Sequence, residues 1–205
     1  MHKVGVLSLQ GDFAAHRAAL EALGVEPARV VLPADLDGCD ALVMPGGEST
    51  TMLRLLDRNG LRESLERFVR EMPVLGTCAG VILLGKDAEG LPAPPLGVLD
   101  VSVERNAYGR QIDSFSATLD APVLGRQVQG VFIRAPRIGR VGPGVEVVAR
   151  HRDEAVGVRQ AKIVGLCFHP ELTSDLGFHR WFLSDVAGLR LPMSSGAMAP
   201  RSERV

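Results

Sequence analysis

The chain has 205 residues, and at about 150 residues per domain this admits one domain with additions rather than two full ones. Hydrophobic residues make up 46% and charged residues 23%, enough apolar material for a buried core, which excludes intrinsic disorder as the main state. Lys+Arg number 23 against 24 for Asp+Glu, so the chain lacks the cationic footprint of nucleic-acid and anionic-membrane binders, and a small ligand or a protein partner is expected instead. Cys39, Cys78 and Cys167 form no Cys-x-x-Cys pair, which argues against a disulfide framework or a structural zinc and fits a reducing compartment. The N-terminal apolar run is too short for a signal-peptide core. No stretch approaches the ~18 uninterrupted apolar residues of a membrane helix, so a soluble cytoplasmic protein is expected.

In chain order, residues 4–9 form a short apolar run suited to a strand buried on both faces, and 13–21 carry helical spacing up to Gly24. Val30-Val31-Leu32 and Ala41–Met44 predict the next two strands, the latter cut off by Pro45-Gly46-Gly47. Ser49 or Thr50 is expected to cap a helix through Met52, Leu53, Leu55 and Leu56. A further helix from about 61 to 70 precedes the strand Val74-Leu75. This alternation predicts an α/β fold with a mostly parallel sheet and helices on both faces. Pro92, Pro94 and Pro95 mark a loop, after which a β-rich second half is expected, with strands at 97–105, 113–119, 128–134, 145–150 and 154–159. A last strand at 162–168 ends at His169-Pro170-Glu171, and a helix with Phe178, Trp181, Phe182 and Val186 closes the domain near Gly188. The expected boundaries are a domain at 1–189 and a flexible tail at 190–205, where hydrophobic periodicity is lost.

Gly76-Thr77-Cys78-Ala79-Gly80 lies between an apolar strand and the apolar helical segment 81–84, the pattern of a nucleophile elbow with cysteine in the nucleophile position. Flanking glycines permit the sharp turn, the next amide can face a developing oxyanion, and the helix N-terminus favours a thiolate. The alternative reading is a buried cysteine in a Gly-rich turn; the strand and helix on either side favour the nucleophile. Of five histidines, His169 is the best proton carrier, because it ends an apolar strand where open parallel sheets place their sites. Pro170 favours extended backbone before it, so Glu171 can hold the imidazole. Cys78, His169 and Glu171 thus follow the chain order of an elbow triad. Gly46-Gly47 permits the close backbone approach of an oxyanion hole or substrate cradle, or is simply a turn before a capped helix. His16 reads as a solvated helical histidine that could reach a partner surface, Cys39 as a loop residue, Cys167 as a small core residue, and Arg137 and Arg140 as a solvated basic patch.

Together these blocks resemble the class I (triad) glutamine amidotransferases, and within them the glutaminases that serve pyridoxal 5'-phosphate synthase. The resemblance runs over residues 3–187. It rests on Gly5-Val6-Leu7-Ser8-Leu9-Gln10-Gly11, Pro45-Gly46-Gly47-Glu48-Ser49-Thr50-Thr51-Met52, the cysteine elbow, Glu104-Arg105-Asn106, Gly109-Arg110-Gln111, Asp113-Ser114-Phe115, Phe132-Ile133-Arg134-Ala135-Pro136 and Phe168-His169-Pro170-Glu171-Leu172. It implies a three-layer, flavodoxin-like fold and hydrolysis of L-glutamine to glutamate and ammonia by Cys78, His169 and Glu171. It further implies an oxyanion hole from the amides of Gly47 and Ala79, and a glutamine site from Gly47, Glu48, Ser49, Arg105, Ile133 and Arg134. From the residues alone, Arg105 and Arg134 read as solvated loop charges. No metal or organic cofactor is required for amide acyl transfer. The implied partner is a separate (β/α)8-barrel subunit of pyridoxal 5'-phosphate synthase in a hetero-oligomer, with Gln10 and Gly11 near the docking surface and a Gly46-Gly47 peptide that reorients on docking. The competing readings are a class I glutaminase serving a different synthase, such as that of the histidine pathway, and a non-catalytic regulatory module.

Overall fold

The computed structural model describes residues 1–11, 13–105, 107 and 114–192. Asn106, the Gly109-Arg110-Gln111 block, Asp113 and the tail from 193 lie outside the described residues. The elements run β1 (Lys3–Leu7), α1 (Phe13–Ala22), β2 (Glu26–Val30), β3 (Ala41–Met44), α2 (Ser49–Arg58), α3 (Arg62–Glu71), β4 (Val74–Thr77), α4 (Ala79–Leu84), β5 (Gly85–Ala88) and β6 (Leu99–Glu104). The second half continues with β7 (Ser114–Ala121), β8 (Arg126–Ile133), β9 (Arg137–Val141), β10 (Glu146–His151), β11 (Glu154–Gln160), β12 (Ile163–Leu166) and α5 (Gly177–Trp181), which runs on as a π-helical turn, Phe182–Val186.

Among the described residues, nine strands form one sheet in the order β2-β1-β3-β4-β12-β11-β10-β7-β8. The first five are mutually parallel, in the 2-1-3-4-5 order of flavodoxin-like doubly wound folds. The other four extend the sheet antiparallel, and β5, β6 and β9 make a separate small sheet. Every residue of β3, β4 and β12 is buried, as expected of parallel strands covered on both faces. Helices α2 and α3 each turn a leucine-rich stripe inward: Met52, Leu53 and Leu56 on one, Leu65 and Val69 on the other.

The strand assignments need correction in the following places. The second strand is Glu26–Val30, not 30–32; as a sheet edge paired only with β1 it buries Val30 alone and carries Pro27, so no apolar run marks it. Strands β5 and β9 are missed by the sequence reading, because their exposed residues include charges that pair across strands. Arg137 and Arg140 are exposed, as read, but ion-paired: Arg140 reaches Asp87 on β5 at 3.2 Å and Asp100 on β6 at 2.9 Å, and Arg137 reaches Glu154 at 2.8 Å. Cys39 lies in the loop before β3, as read, and is buried there, and Cys167 is in the core as expected. At the end of the described chain Leu191 still packs on the core and Pro192 lies against Gly24. No helix among the described residues is long and apolar enough to cross a membrane.

Helix α4 packs on β4 and β12, and its first turn presses on the end of β3. A Cβ on Gly80 would come within 2.2 Å of the Met44 carbonyl oxygen, a backbone atom that cannot move aside alone. Gly80→Ala is therefore expected to push α4 off the sheet at a cost of about 1–3 kcal/mol. Thermal unfolding should register this as a midpoint lowered by roughly 2–4 °C per kcal/mol.

Candidate active site

The ends of β1, β3, β4 and β12 open on one cleft of about 300 Å³. Cys78 is the single residue between β4 and α4, and it takes φ 48°, ψ −108°. A non-glycine residue at positive φ costs of order 1–3 kcal/mol, so the surroundings must hold it. They do so through the Cys78 N–H, which donates to the Leu166 carbonyl at the end of β12 at 2.8 Å. The thiol lies 3.7 Å from the Ile133 carbonyl on β8. Ala79 occupies the first position of α4, where the backbone N–H has no intrahelical acceptor.

His169 follows β12 by three residues, and its N–H donates to the Val131 carbonyl at 2.8 Å. Its Nδ1 meets Glu171 Oε1 at 2.7 Å, while Nε2 is buried and without a hydrogen-bond partner among the described residues. A Cβ on Gly46 would lie 2.5 Å from His169 Cε1 and 3.1 Å from Cys78 Cβ, so thiol and imidazole close on the same point and only glycine fits between them and β3. Burial opposes a charge on His169, but the neighbouring Cys78 sulfur and the Glu171 carboxylate outweigh it and raise the imidazole pKa. Glu171 is itself buried; hydrogen bonds from His16 and His169 override that burial and hold its carboxylate far below the usual range.

Of the residues singled out in the sequence, Gly11, Gly46, Gly47, Glu48, Ser49, Cys78, Arg105, Ile133, Arg134 and His169 line the cleft, together with Ile82, which no motif marks. Gln10, Ala79 and Glu171 stand behind this lining. Gln10 accepts from the Glu48 N–H through its side-chain oxygen at 3.0 Å, tying the segment after β1 to the one after β3. Gly11 sits so close that a Cβ there would overlap the Gly46 carbonyl. The cap of α2 is Glu48, not Ser49 or Thr50: its carboxylate accepts from the N–H groups of Thr50 and Thr51 at 3.0 and 2.7 Å. These bonds and the Thr51 hydroxyl overcome partial desolvation and lower the Glu48 pKa to about 2. Arg105, solvated by sequence reasoning, is clamped: it donates to the Gly90 carbonyl at 2.6 Å and Thr50 Oγ1 at 3.1 Å, and lies 3.5 Å from Glu48 Oε1. Arg134 takes φ 41° at the cleft wall directly after β8.

A further correction concerns His16. It is fully buried, not solvated, with Nε2 3.1 Å from Thr77 Oγ1 and 3.3 Å from Glu171 Oε2, and Nδ1 3.0 Å from His179 Nε2 on α5. A signal for this was present: His16, Ala19 and Leu20 share the i, i+3, i+4 spacing of one helical face, and all three are buried. His179 and Thr77 carry no such local signal, since α5 and β4 are buried among apolar neighbours and the pairing with α1 is long-range.

These buried groups set an acid limit on the fold. Burial lowers the His179 pKa from 6.5 to about 3, so below pH 6.5 the unfolded chain binds a proton that the folded one refuses. Glu171, held ionised when folded, likewise contributes stability above its unfolded pKa and loses it on acidification. Urea unfolding is expected to show stability falling as pH drops from 6.5 towards 4. His179→Asn should flatten that limb by about one proton, or roughly 1.4 kcal/mol per pH unit.

Residues 6–188 match the family model described as the SNO glutamine amidotransferase family. The chain is 49% identical over 188 residues to the pyridoxal 5'-phosphate synthase subunit PdxT of Desulforudis audaxviator, covering 91% of this chain and 100% of that one. It is 48% identical over 193 residues to the PdxT of Geobacillus kaustophilus, covering 94% and 98%. A crystal structure of a glutamine amidotransferase superposes with a TM-score of 0.85 at 49% identity, covering 91% of this chain and 99% of that one. PurLQS from Thermotoga maritima, at 17% identity and a TM-score of 0.67, shares the fold alone, over 90% of this chain and 98% of that one. A cysteine elbow at the carboxyl end of a flavodoxin-like sheet and a match over nearly the whole length thus agree, and the chain belongs to the SNO glutamine amidotransferase family.

Proposed function

We propose that the chain hydrolyses L-glutamine to L-glutamate and ammonia and delivers the ammonia to a synthase subunit that makes pyridoxal 5'-phosphate. The observation that carries the chemistry is the closure of Cys78 and His169 on one point of the cleft, with Glu171 on the far imidazole nitrogen. The pathway rests on relatives named as pyridoxal 5'-phosphate synthase subunits.

In this reading the Cys78 thiolate attacks the side-chain amide carbon. The amides of Gly47 and Ala79 hold the tetrahedral oxyanion, worth several kcal/mol where water is excluded. Protonated His169 donates from Nε2 to the departing nitrogen, the C–N bond breaks, and ammonia leaves a glutamyl thioester. Neutral His169 then takes a proton from water as it attacks the thioester carbon; C–S cleavage releases glutamate and restores the thiolate. Glu171 orients the ring and offsets its charge. Arg105 and Arg134 supply fixed guanidinium charge for the substrate carboxylate. Glu48 draws Arg105 to one wall, and Gly47, Ser49 and Ile133 shape the rest of the cleft.

The partner in this reading is a (β/α)8-barrel synthase subunit in a hetero-oligomer, docking near Gln10 and Gly11. Both contact the Gly46-Gly47-Glu48 segment, which couples that surface to the oxyanion hole. Docking reorients the Gly46–Gly47 peptide, a step that glycine makes cheap. The catalytic unit is residues 1–189, with 190–205 as a tail, and no metal or organic cofactor takes part. Three free thiols suit a cytoplasmic setting.

A glutaminase assay on the full chain with and without purified barrel subunit tests this. Activity is expected to rise on adding the barrel, and Cys78→Ala or His169→Ala should lower the stimulated rate by about 10³-fold or more. Wild-type turnover by Cys78→Ala would refute the assignment.

A further inference from the structure

Behind Glu171 the core contains four polar side chains from four different elements: His16 on α1, Thr77 on β4, Glu171 after β12 and His179 on α5. A fully apolar filling would cost less, so their persistence in a dry interior calls for a hydrogen-bond pattern that satisfies them. That pattern can be deduced from the distances. Glu171 Oε1 is taken by His169, while Oε2, buried and without a well-aligned hydrogen bond among the described residues, has His16 Nε2 at 3.3 Å. An ionised carboxylate facing a lone pair would be repelled, so His16 carries its proton on Nε2, where it donates to Thr77 Oγ1 at 3.1 Å and turns a positive edge towards Glu171 Oε2. In a neutral His16, Nδ1 is then an acceptor, and the group beside it, His179 Nε2 at 3.0 Å, is the donor. That leaves His179 Nδ1 as a buried lone pair, and it is indeed unpartnered; the opposite assignment would strand a buried N–H instead.

We propose that His16 is a positioning residue for the glutaminase reaction, locked by His179 in the tautomer that attracts the second oxygen of Glu171, so that a directed chain of polar contacts runs His179, His16, Glu171, His169 towards Cys78. The inference rests on the glutaminase reading above. His16 lines no part of the cleft and touches no substrate; it acts by fixing the carboxylate that fixes the imidazole. With Oε1 bonded to His169 and Oε2 drawn towards the Nε2–H of His16, rotation of Glu171 away from Nδ1 is opposed, and Nε2 of His169 stays aimed at the sulfur. The anchoring helix α1 begins two residues after Gly11, so a shift of the segment beside the oxyanion hole is felt at the acid end of the triad as well.

The test uses the full chain with its barrel subunit and two substitutions of similar volume: His16→Gln, which retains an N–H near the position of Nε2, and His16→Met, which removes it. His16→Met is expected to lower kcat about tenfold, the equivalent of one net hydrogen bond to a charged group, with KM unchanged. His16→Gln should recover most of that loss. Alkylation of Cys78 by iodoacetamide across pH gives the second readout. The limb at which His169 loses its proton should move to lower pH in His16→Met and stay in place in His16→Gln. Equal kcat and superimposable alkylation profiles for the two variants and wild type would overturn the proposal. So would equal loss in both variants, which would mark His16 as packing only. If Cys78→Ala still hydrolyses glutamine, it is the glutaminase reading that fails, and the alkylation profiles still decide whether His16 steers His169.

Discussion

The turn at Cys78 puts a side chain that is wanted in the cleft on backbone that an L-residue disfavours, and the neighbouring structure is arranged to pay that penalty. The Leu166 carbonyl at the end of β12 accepts the Cys78 N–H, and Gly80 lets α4 start within van der Waals range of β3. Gly46 removes the one side chain that would separate thiol from imidazole. Three parallel strands, β3, β4 and β12, therefore converge on one residue. Any shift between them would be felt as a change in the distance from Cys78 to His169.

Electrostatics add a second constraint that packing alone would not impose. Glu171 and His169 are both buried, a situation in which each charge is expensive by itself and tolerable only beside the other. Their 2.7 Å contact offsets the cost and at the same time selects which nitrogen of His169 faces the sulfur. Glu48 follows the same logic in a more open setting. One carboxylate caps α2, engages Arg105 and so fixes both the helix start and one wall of the cleft.

Much of the site is legible in the primary structure because its chemistry is written in short, contiguous blocks. The elbow from Gly76 to Gly80 requires its glycines at fixed offsets, and His169-Pro170-Glu171 places base and acid two residues apart. The glycines after β3 mark a close approach wherever they occur. Misreadings fell on residues whose role depends on a distant partner. Arg105 is a surface charge until Glu48, Thr50 and Gly90 are brought around it, and His16 is a helical histidine until α5 and β4 cover it. Strand β2 escaped for a different reason: a polar sheet edge needs no apolar run.

From the amino-acid order alone came the α/β alternation, the parallel core, the nucleophile candidate, its histidine and carboxylate, and the family they resemble. These are local properties, set by hydrophobic period, by glycine at sharp turns and by proline at strand ends. Only the tertiary structure decided how the ladder extends through β11, β10, β7 and β8 and that Glu48 rather than a hydroxyl caps α2. It also decided that two histidines 163 positions apart share a hydrogen bond behind the triad acid. Such contacts join segments far apart in the chain, and no short-range pattern carries them, because their energy appears only once the backbone has brought both partners out of water.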